Sequence, residues 1–453
     1  MRQKIAERFA ALRGTTSPAL MSTACLLLIL AVTLGGSPNR PGLTLIAIQL
    51  VCAMLAGLAL FSGAWSKLAE LSGLQKLFLS LVFVTPLLQL FPLPPVMWQT
   101  FPGRALENEI LILIGAAENW RPLSLEPWNT LFTWSLMMPA FTMFAATLCL
   151  TDRERKWVAF LLIALVAISI LIGLFQFGSR GTILNFYNSS HNKFLLGFFA
   201  NRNHQALMIV VGVIFGLNLI ADSRFSSIIA LVMVAVVSLV AVFGTSSRMG
   251  LFLWLVAVSG CSLMFFSYKN KKTLYSIAIL LGVVFVSVFF IAQNKVTSTV
   301  FERFDLVGED GRWLFWKNSF EIIKNYFPYG SGLGSFVAIY QKNETLDEIT
   351  RLYVNHVHND YIEFVVETGV LGLAMVGLLV TLILRQSMSG NIFKQPRLVR
   401  AAFGATVVIM LHSVVDYPLR TQAIAVVAGF STAIWFSATS KVRLSAGSPL
   451  AAE

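Results

Sequence analysis

Residues 157–177 have the sequence WVAFLLIALVAISILIGLFQF, a stretch without a charged side chain. One helix that spans the hydrocarbon core of a bilayer, about 30 Å thick, needs about 20 apolar residues. This stretch is therefore predicted to cross a membrane. Similar runs recur along the chain, at residues 19–36, 43–63, 74–92, 129–150, 205–221, 226–243, 250–267, 274–292, 361–384, 400–415 and 421–437. Together they predict an all-α polytopic membrane protein with about 12 transmembrane helices.

The composition agrees with a membrane-embedded chain. Of its 453 residues, 56% are hydrophobic and 12% are charged, whereas an average soluble domain has about 25% charged residues. The formal net charge is +12, but the lysines and arginines lie between apolar runs. Proteins that bind nucleic acid instead cluster them on a solvated face. We therefore predict no nucleic-acid partner and interpret the charge as a signal of topology.

The charge distribution orients the helices. With a cytoplasmic N-terminus, the cytoplasmic segments hold 19 of the 34 basic residues and six acidic ones, as the positive-inside rule requires. The N- and C-termini are then both cytoplasmic. Residues 1–453 form a single membrane domain, with longer outer segments at 93–128, 178–204 and 293–360.

The last outer segment, residues 293–360, is predicted to contain an amphipathic helix. Its aromatic and aliphatic residues recur at helical spacing, opposite Lys317, Glu321 and Lys324. Such a helix lies at a membrane surface, where it either caps the bundle or grips a lipid substrate. The apolar positions are Trp313, Trp316, Phe320, Ile323 and Phe327.

In this topology the side chains suited to chemistry collect on or next to the outer side. Histidine acts as a general base near neutral pH, and arginine forks suit phosphate groups. The five histidines are His191, His204, His356, His358 and His412, and the arginines on this side include Arg180, Arg202, Arg248, Arg312, Arg351 and Arg420. The middles of the spans hold almost no ionisable residues, which weighs against an ion-coupled transporter.

The densest group is HVHNDYIE, residues 356–363. Asp360 and Glu363 have the spacing of a capping box, which predicts a helix start whose free amides form an anion site beside His358. We expect His356 and His358 to face opposite ways, and one of them rather than both to act as a base. A metal site formed by His358, Asp360 and Asp416 lacks any recognised spacing.

Three further features have competing interpretations. The glycines of Gly330–Gly334 resemble a phosphate cradle, but no βαβ pattern surrounds them, and a tight turn is the better prediction. Arg248 begins the eighth span, where it either snorkels to lipid headgroups or holds a phosphate. The helical spacing of His412 and Asp416 suggests a site, or simply a pair on one helical face.

At these residues the chain resembles the O-antigen ligase and Wzy-type polymerase superfamily (Wzy_C). The ligase motif is H, then N, S or Q, nine residues, G, two residues, then G, T or Y; His358, Asn359, Gly369 and Gly372 match it. An ordered set of further stretches across residues 199–420 is similar to the family. They are Phe199–His204, Ser247–Arg248, Gly311–Arg312 with Trp316, Gly330–Phe336 and His412–Asp416.

The resemblance implies an inverting, metal-independent glycosyltransferase of the GT-C type, without a cofactor, in the bacterial inner membrane. Its donor is a glycan on undecaprenyl diphosphate, used at the periplasmic face. His358 corresponds to the residue that activates the acceptor hydroxyl, and Arg248 and Arg202 to arginines that hold the diphosphate. Arg312, Asn359, His412 and Arg420 complete the expected substrate-binding set.

Three functions stay open from the sequence. An O-antigen ligase transfers the glycan to lipid A-core, and a Wzy-type polymerase transfers it to a second lipid-linked glycan. The stretch WRPLSLEP, residues 120–127, looks polymerase-like. A transporter of lipid-linked glycan or solute is the alternative of another class. In every case membrane lipids surround the chain.

Overall fold

The structure is a computed structural model of the chain. It describes residues 18–38, 42–187, 191, 193–220, 228–265, 311–345, 349, 353–388 and 391–446.

The described residues form helices joined by short connections, with one small strand pair. The helices of the first half are α1 (Pro18–Leu34), α2 (Gly42–Phe61), α3 (Ala64–Ala69), α4 (Gly73–Leu90), α5 (Pro95–Trp98), α6 (Ala105–Leu113), α7 (Pro127–Cys149), α8 (Asp152–Gly178) and α9 (Arg202–Ile220). The second half holds α10 (Ile228–Thr245), α11 (Arg248–Phe265), α12 (Arg312–Tyr326), α13 (Phe336–Asn343), α14 (Asp360–Thr368), α15 (Val370–Met388), α16 (Arg397–His412) and α17 (Gln422–Ala446). The strands β1 (Pro92–Leu93) and β2 (Arg121–Pro122) pair antiparallel.

Seven helices among the described residues are long and apolar enough to span a membrane: α2, α4, α7, α8, α9, α15 and the Gln422–Thr439 part of α17. Shorter apolar helices occupy Pro18–Leu34, Ala230–Thr245 and Arg248–Cys261, and α16 lies at the predicted eleventh span. Only the predicted span at 274–292 lies outside the described residues. The chain is therefore an all-helical membrane protein with several spans, as its apolar runs predict.

Helix α9 is the centre of the bundle. It packs against α8, α10, α11 and α16, and every residue from His204 to Leu219 is buried. The outer helix α2 instead exposes a stripe of large apolar side chains, including Leu43 and Leu50. In a membrane such a stripe contacts lipid, because a helix satisfies its own backbone hydrogen bonds there. The buried start of α9 consequently lies within the protein, where it can contribute to a site.

A separate apolar cluster joins helices α12, α13 and α14. Ile322 and Tyr326 of α12 pack with Phe336 and Tyr340 of α13 and with Val366 of α14. A helix is present in this segment as α12, and the predicted apolar stripe is split between two environments. Trp316 and Ile323 pack against this cluster, whereas Trp313, Phe320 and Phe327 are 57%, 52% and 42% exposed.

The predicted tenth span, 361–384, is wrong in one respect, because two helices meet there at Gly369. The φ of Gly369 is +59°, which favours glycine. A Cβ at this position would lie 2.0 Å from the carbonyl oxygen of Pro328. This contact separates the short helix α14 from the spanning helix α15, so that α14 forms a cap with α12 and α13.

Candidate active site

His358 and Asp416 form a hydrogen-bonded pair between segments 58 residues apart. The Nδ1 atom of His358 lies 3.0 Å from Oδ1 of Asp416. The Asp416 side chain is fully buried, whereas 25% of the His358 side chain is exposed. A carboxylate at Nδ1 holds the proton on that nitrogen and leaves Nε2 as a base. The exposed part of the ring can therefore meet a substrate hydroxyl.

Asp416 is held from its other side by the start of α9. Its Oδ2 accepts a hydrogen bond from Nδ2 of Asn203 at 2.9 Å and a longer one from Nδ2 of Asn201 at 3.4 Å. Burial opposes the ionisation of Asp416, but the hydrogen bond from His358 and the neighbouring His204 and His412 lower its pKa well below the ordinary value. The pair therefore contains a carboxylate, which stabilises positive charge on His358.

Two further histidines surround this carboxylate without direct hydrogen bonds. Nε2 of His204 and Nε2 of His412 each lie 3.9 Å from Oδ2 of Asp416, and both side chains are fully buried. None of their ring nitrogens has a hydrogen-bond partner in the described part of the chain. At 3.9 Å the interaction is electrostatic, or mediated by a molecule between the groups. His412, expected to bind substrate, here faces the carboxylate.

The expected opposite orientation of His356 and His358 is wrong. Residues two apart share a face even in an extended strand, and here both imidazole rings contact the ring of Tyr417, at centroid distances of 4.3 Å for His356 and 4.8 Å for His358. His358 has a φ of +56°, in the left-handed region, so the strip is not extended there. Phe315 of α12 lies on His358, with the centroids 6.2 Å apart.

The expected capping box and anion site at the start of α14 are also corrected. Asn359 is the N-cap, and its Oδ1 accepts hydrogen bonds from the amides of Tyr361 and Ile362, both at 3.0 Å. The amide of Asp360 donates to the carbonyls of Ser413 and Asp416, and that of Glu363 to the carbonyl of Asn359. The first four amides therefore all have protein acceptors. Asn359 fixes the helix start beside His358. Its expected contact with substrate remains a prediction.

The carboxylate of Asp360 does not join the His358–Asp416 pair. Its Oδ2 accepts hydrogen bonds from Oγ of Ser413 at 2.9 Å and from the amide of Leu419 at 3.3 Å. Burial raises its pKa to about 7, despite the opposing charge of Arg420. The considered metal set of His358, Asp360 and Asp416 is thus not assembled, because Asp360 faces different partners.

Arg420 is occupied by the acidic face of α14. Its Nη2 lies 2.8 Å from Oε2 of Glu367 and 3.2 Å from Oε1 of Glu363, and its Nε is 3.9 Å from Oδ1 of Asp360. These carboxylates raise the pKa of Arg420 although burial opposes its charge. The geometry gives Arg420 a positioning role between α14 and the 418–420 turn. Binding of diphosphate by Arg420 remains a prediction that this arrangement does not favour.

The other expected arginines stand at helix starts near the pair. Arg202 is the first residue of α9, between the two asparagines that hold Asp416, and its Nη1 donates to the carbonyl of Ser246 at 3.2 Å. Arg248 begins α11 two residues later in that loop. Arg312 begins α12, and its charge acts on His412. The contact of Arg202 with Ser246 therefore links the starts of α9 and α11, and Arg312 lies close enough to His412 for its charge to act there.

The glycine-rich loop is a structural turn. Gly330, Gly332 and Gly334 all have positive φ. The amide of Gly332 donates to the carbonyl of Glu367, that of Leu333 to Oε1 of Gln89, and that of Gly334 to Oε1 of Glu367. With these amides committed to the protein, the loop does not form a phosphate cradle. It anchors the cap to α4 and α14.

Sequence reasoning missed Asp416 as the partner of His358, together with Asn201, Asn203 and His204. It also set aside His356, whose Nδ1 lies 2.8 Å from Oε1 of the buried Glu363. Asp416 had been considered as a metal ligand or as the partner of His412. The position of Asp416 next to a predicted span could have marked it as a candidate site residue. The sequence does not indicate that its partner is His358, because the two residues meet only through packing.

Comparison with known proteins gives one match. Residues 233–377 match the family model described as O-antigen ligase, Wzy_C. The matched range contains Arg248, Arg312 and His358, and it ends before Asp416. No curated protein matches the chain.

Proposed function

Taking the O-antigen ligase match of residues 233–377 as the premise, we propose that this protein is a membrane glycosyltransferase. It transfers a glycan from undecaprenyl diphosphate to a sugar hydroxyl of an acceptor, at the periplasmic face of the bacterial inner membrane. We favour an O-antigen ligase whose acceptor is lipid A-core. The observation that carries the proposal is the contact of 3.0 Å between His358 and the buried Asp416.

In this mechanism His358 is the general base. Its Nδ1–H donates to Asp416, and Nε2 takes the proton of the acceptor hydroxyl while that oxygen attacks the anomeric carbon. The new bond between this carbon and the acceptor oxygen forms as the bond to the diphosphate oxygen breaks. Asp416 balances the imidazolium that results. One displacement inverts the anomeric configuration, and general-base assistance typically contributes 10²–10⁴-fold.

The leaving group is undecaprenyl diphosphate, which gains negative charge as it departs. Arg248 and Arg202 stand at the starts of neighbouring helices, where guanidinium forks can bind phosphate oxygens bidentately. Arg312, whose charge acts on His412, supplies a third positive charge in this proposal. Cations placed where charge develops stabilise the transition state. In this proposal the arginines stabilise the charge of the leaving group, as a metal ion does in other enzymes. We also propose that the protein is of the GT-C type with about twelve spans.

The experiment supplies reconstituted protein with undecaprenyl-diphosphate glycan and either lipid A-core or a second lipid-linked glycan. Glycan on lipid A-core supports the ligase, and a product lengthened on undecaprenyl diphosphate supports the polymerase. Movement of the glycan across the bilayer without bond formation supports a transporter instead.

Variants test the assigned roles in the same assay. His358→Ala should abolish transfer, and unchanged transfer would eliminate the general-base role. Arg248→Lys keeps the charge but loses the bidentate fork, and we expect a large loss of activity. Arg153→Lys is the matched control, because Arg153 is an exposed arginine in the first turn of α8. Full activity of Arg248→Lys would support the interpretation in which Arg248 contacts lipid headgroups.

A further inference from the structure

His356 forms a second histidine–carboxylate pair beside the first. Its Nδ1 lies 2.8 Å from Oε1 of Glu363, whose side chain is 1% exposed. The other oxygen of Glu363 accepts the amide of Val357 at 3.0 Å. The carboxylate is therefore fixed, and it holds the proton of His356 on Nδ1, as Asp416 does for His358.

Both imidazoles contact the ring of Tyr417. Their centroids lie 4.3 and 4.8 Å from that ring, so they are at most about 9 Å from each other. The side chains of His356 and His358 are 17% and 25% exposed. In the described part of the chain, neither ring uses its Nε2 for a hydrogen bond to protein.

The surroundings of the two carboxylates differ in charge. Oε1 of Glu363 also lies 3.2 Å from Nη2 of Arg420, which balances its negative charge. Apart from its histidine neighbours, Asp416 is contacted by the neutral amides of Asn201 and Asn203. With the proton of His356 held on Nδ1 by Glu363, its Nε2 presents a lone pair that can accept a hydrogen bond.

We propose that His356 binds the acceptor sugar, with its Nε2 accepting a hydrogen bond from a second hydroxyl group while His358 deprotonates the reacting one. The inference rests on the proposed glycosyl transfer and adds a specificity-determining residue to it. A ligand with two hydroxyls on neighbouring sugar carbons or adjoining sugars spans the distance between the imidazoles. His356 thereby fixes which hydroxyl of the acceptor lies at His358.

Two variants of the full-length reconstituted protein test this role. His356→Phe keeps an aromatic ring against Tyr417 but removes both nitrogens. His356→Gln can keep one donor for Glu363 and one acceptor for the sugar. For His356→Phe we expect the acceptor KM to rise at least tenfold, with kcat and the donor KM within threefold of wild type. His356→Gln should return the acceptor KM to within threefold of wild type, and the pH dependence of kcat should not change in either variant.

The controls separate the possible failures. Lys324→Ala alters an exposed residue of α12 and should behave as wild type. An unchanged acceptor KM in His356→Phe would overturn the inference. A loss of kcat with a shifted pH profile would also overturn it, because His356 would then act as a base. An equal loss of activity in both variants that follows reduced thermal stability would overturn it as well, because the role of His356 would then be structural. If wild-type protein transfers glycan to neither acceptor, the proposed function fails before any variant is compared.

Discussion

Replacing Asp416 by asparagine removes one charge from the centre of the site while keeping the size of the side chain. In the wild type, Oδ1 of Asp416 accepts a hydrogen bond from Nδ1 of His358, and Oδ2 accepts one from the side-chain amide of Asn203. An asparagine at 416 has only one acceptor oxygen. The amides of Asn203 and Asn201 both donate to the Oδ2 side, so we expect the asparagine oxygen to lie there and its NH₂ group to face His358.

This orientation changes the tautomer of His358. An NH₂ group at 3.0 Å from Nδ1 requires that nitrogen to accept, so the proton moves to Nε2, and the atom that should act as the base becomes a donor. The imidazolium formed during transfer also loses its counter-charge. In a serine protease, the corresponding aspartate-to-asparagine change lowers kcat by about 10⁴. We expect a loss of about 10³ to 10⁴ here, or about 4 to 5.5 kcal/mol of transition-state stabilisation.

The measurement is the steady-state rate of glycan transfer by reconstituted Asp416→Asn, with both substrates varied. The loss should appear in kcat, because the substituted atom contacts His358 rather than substrate. Asp152→Asn is the control, since Asp152 is the first residue of α8, on the cytoplasmic side in the predicted topology, and its side chain is 80% exposed and pairs with Arg155. A kcat within threefold of wild type, in protein that is folded by thermal unfolding, would refute the assignment of Asp416 and His358 as a functional pair.

Three other outcomes are expected. Because the pKa of Asp360 is raised to about 7 in the folded state, the contribution of Asp360 to stability should be greatest below the ordinary aspartate pKa. This contribution should fall as pH rises from about 4 to about 7, by at most about 1.4 kcal/mol per pH unit. Asp360→Asn should flatten the dependence of Tm on pH, and an unchanged slope would contradict this cause. Gly369→Ala should lower Tm, because its Cβ would meet the Pro328 carbonyl oxygen at 2.0 Å and overpacking costs about 1–3 kcal/mol. The matched Gly377→Ala has open space in α15 and should leave Tm unchanged or slightly higher; equal effects would refute the packing argument. For topology, a cysteine at the exposed Lys324 should react with an impermeant maleimide added outside the inner membrane, whereas one at Arg153 should react only after permeabilisation, and the reverse result would invert the orientation.

Much of the fold follows from local sequence. An apolar run of about 20 residues has few alternatives to a helix in lipid, since its backbone polar groups must be satisfied internally. This is why helices occupy the predicted runs wherever the structure describes them. The break at Gly369 was less accessible, because it depends on the carbonyl of Pro328, which approaches from 41 positions earlier in the chain.

The sequence by itself also determined that His358 is the leading candidate for the base, because its neighbours match a motif of fixed spacing. Only the tertiary structure decided its partner. Asp416 and Asn203 lie on segments far apart in sequence, and they meet because α9 packs against α16. The structure likewise placed Arg420 among the carboxylates of α14 and turned His356 towards the site. Apolar length specifies helices locally, whereas the partner of a buried polar group is set by whichever helices pack around it.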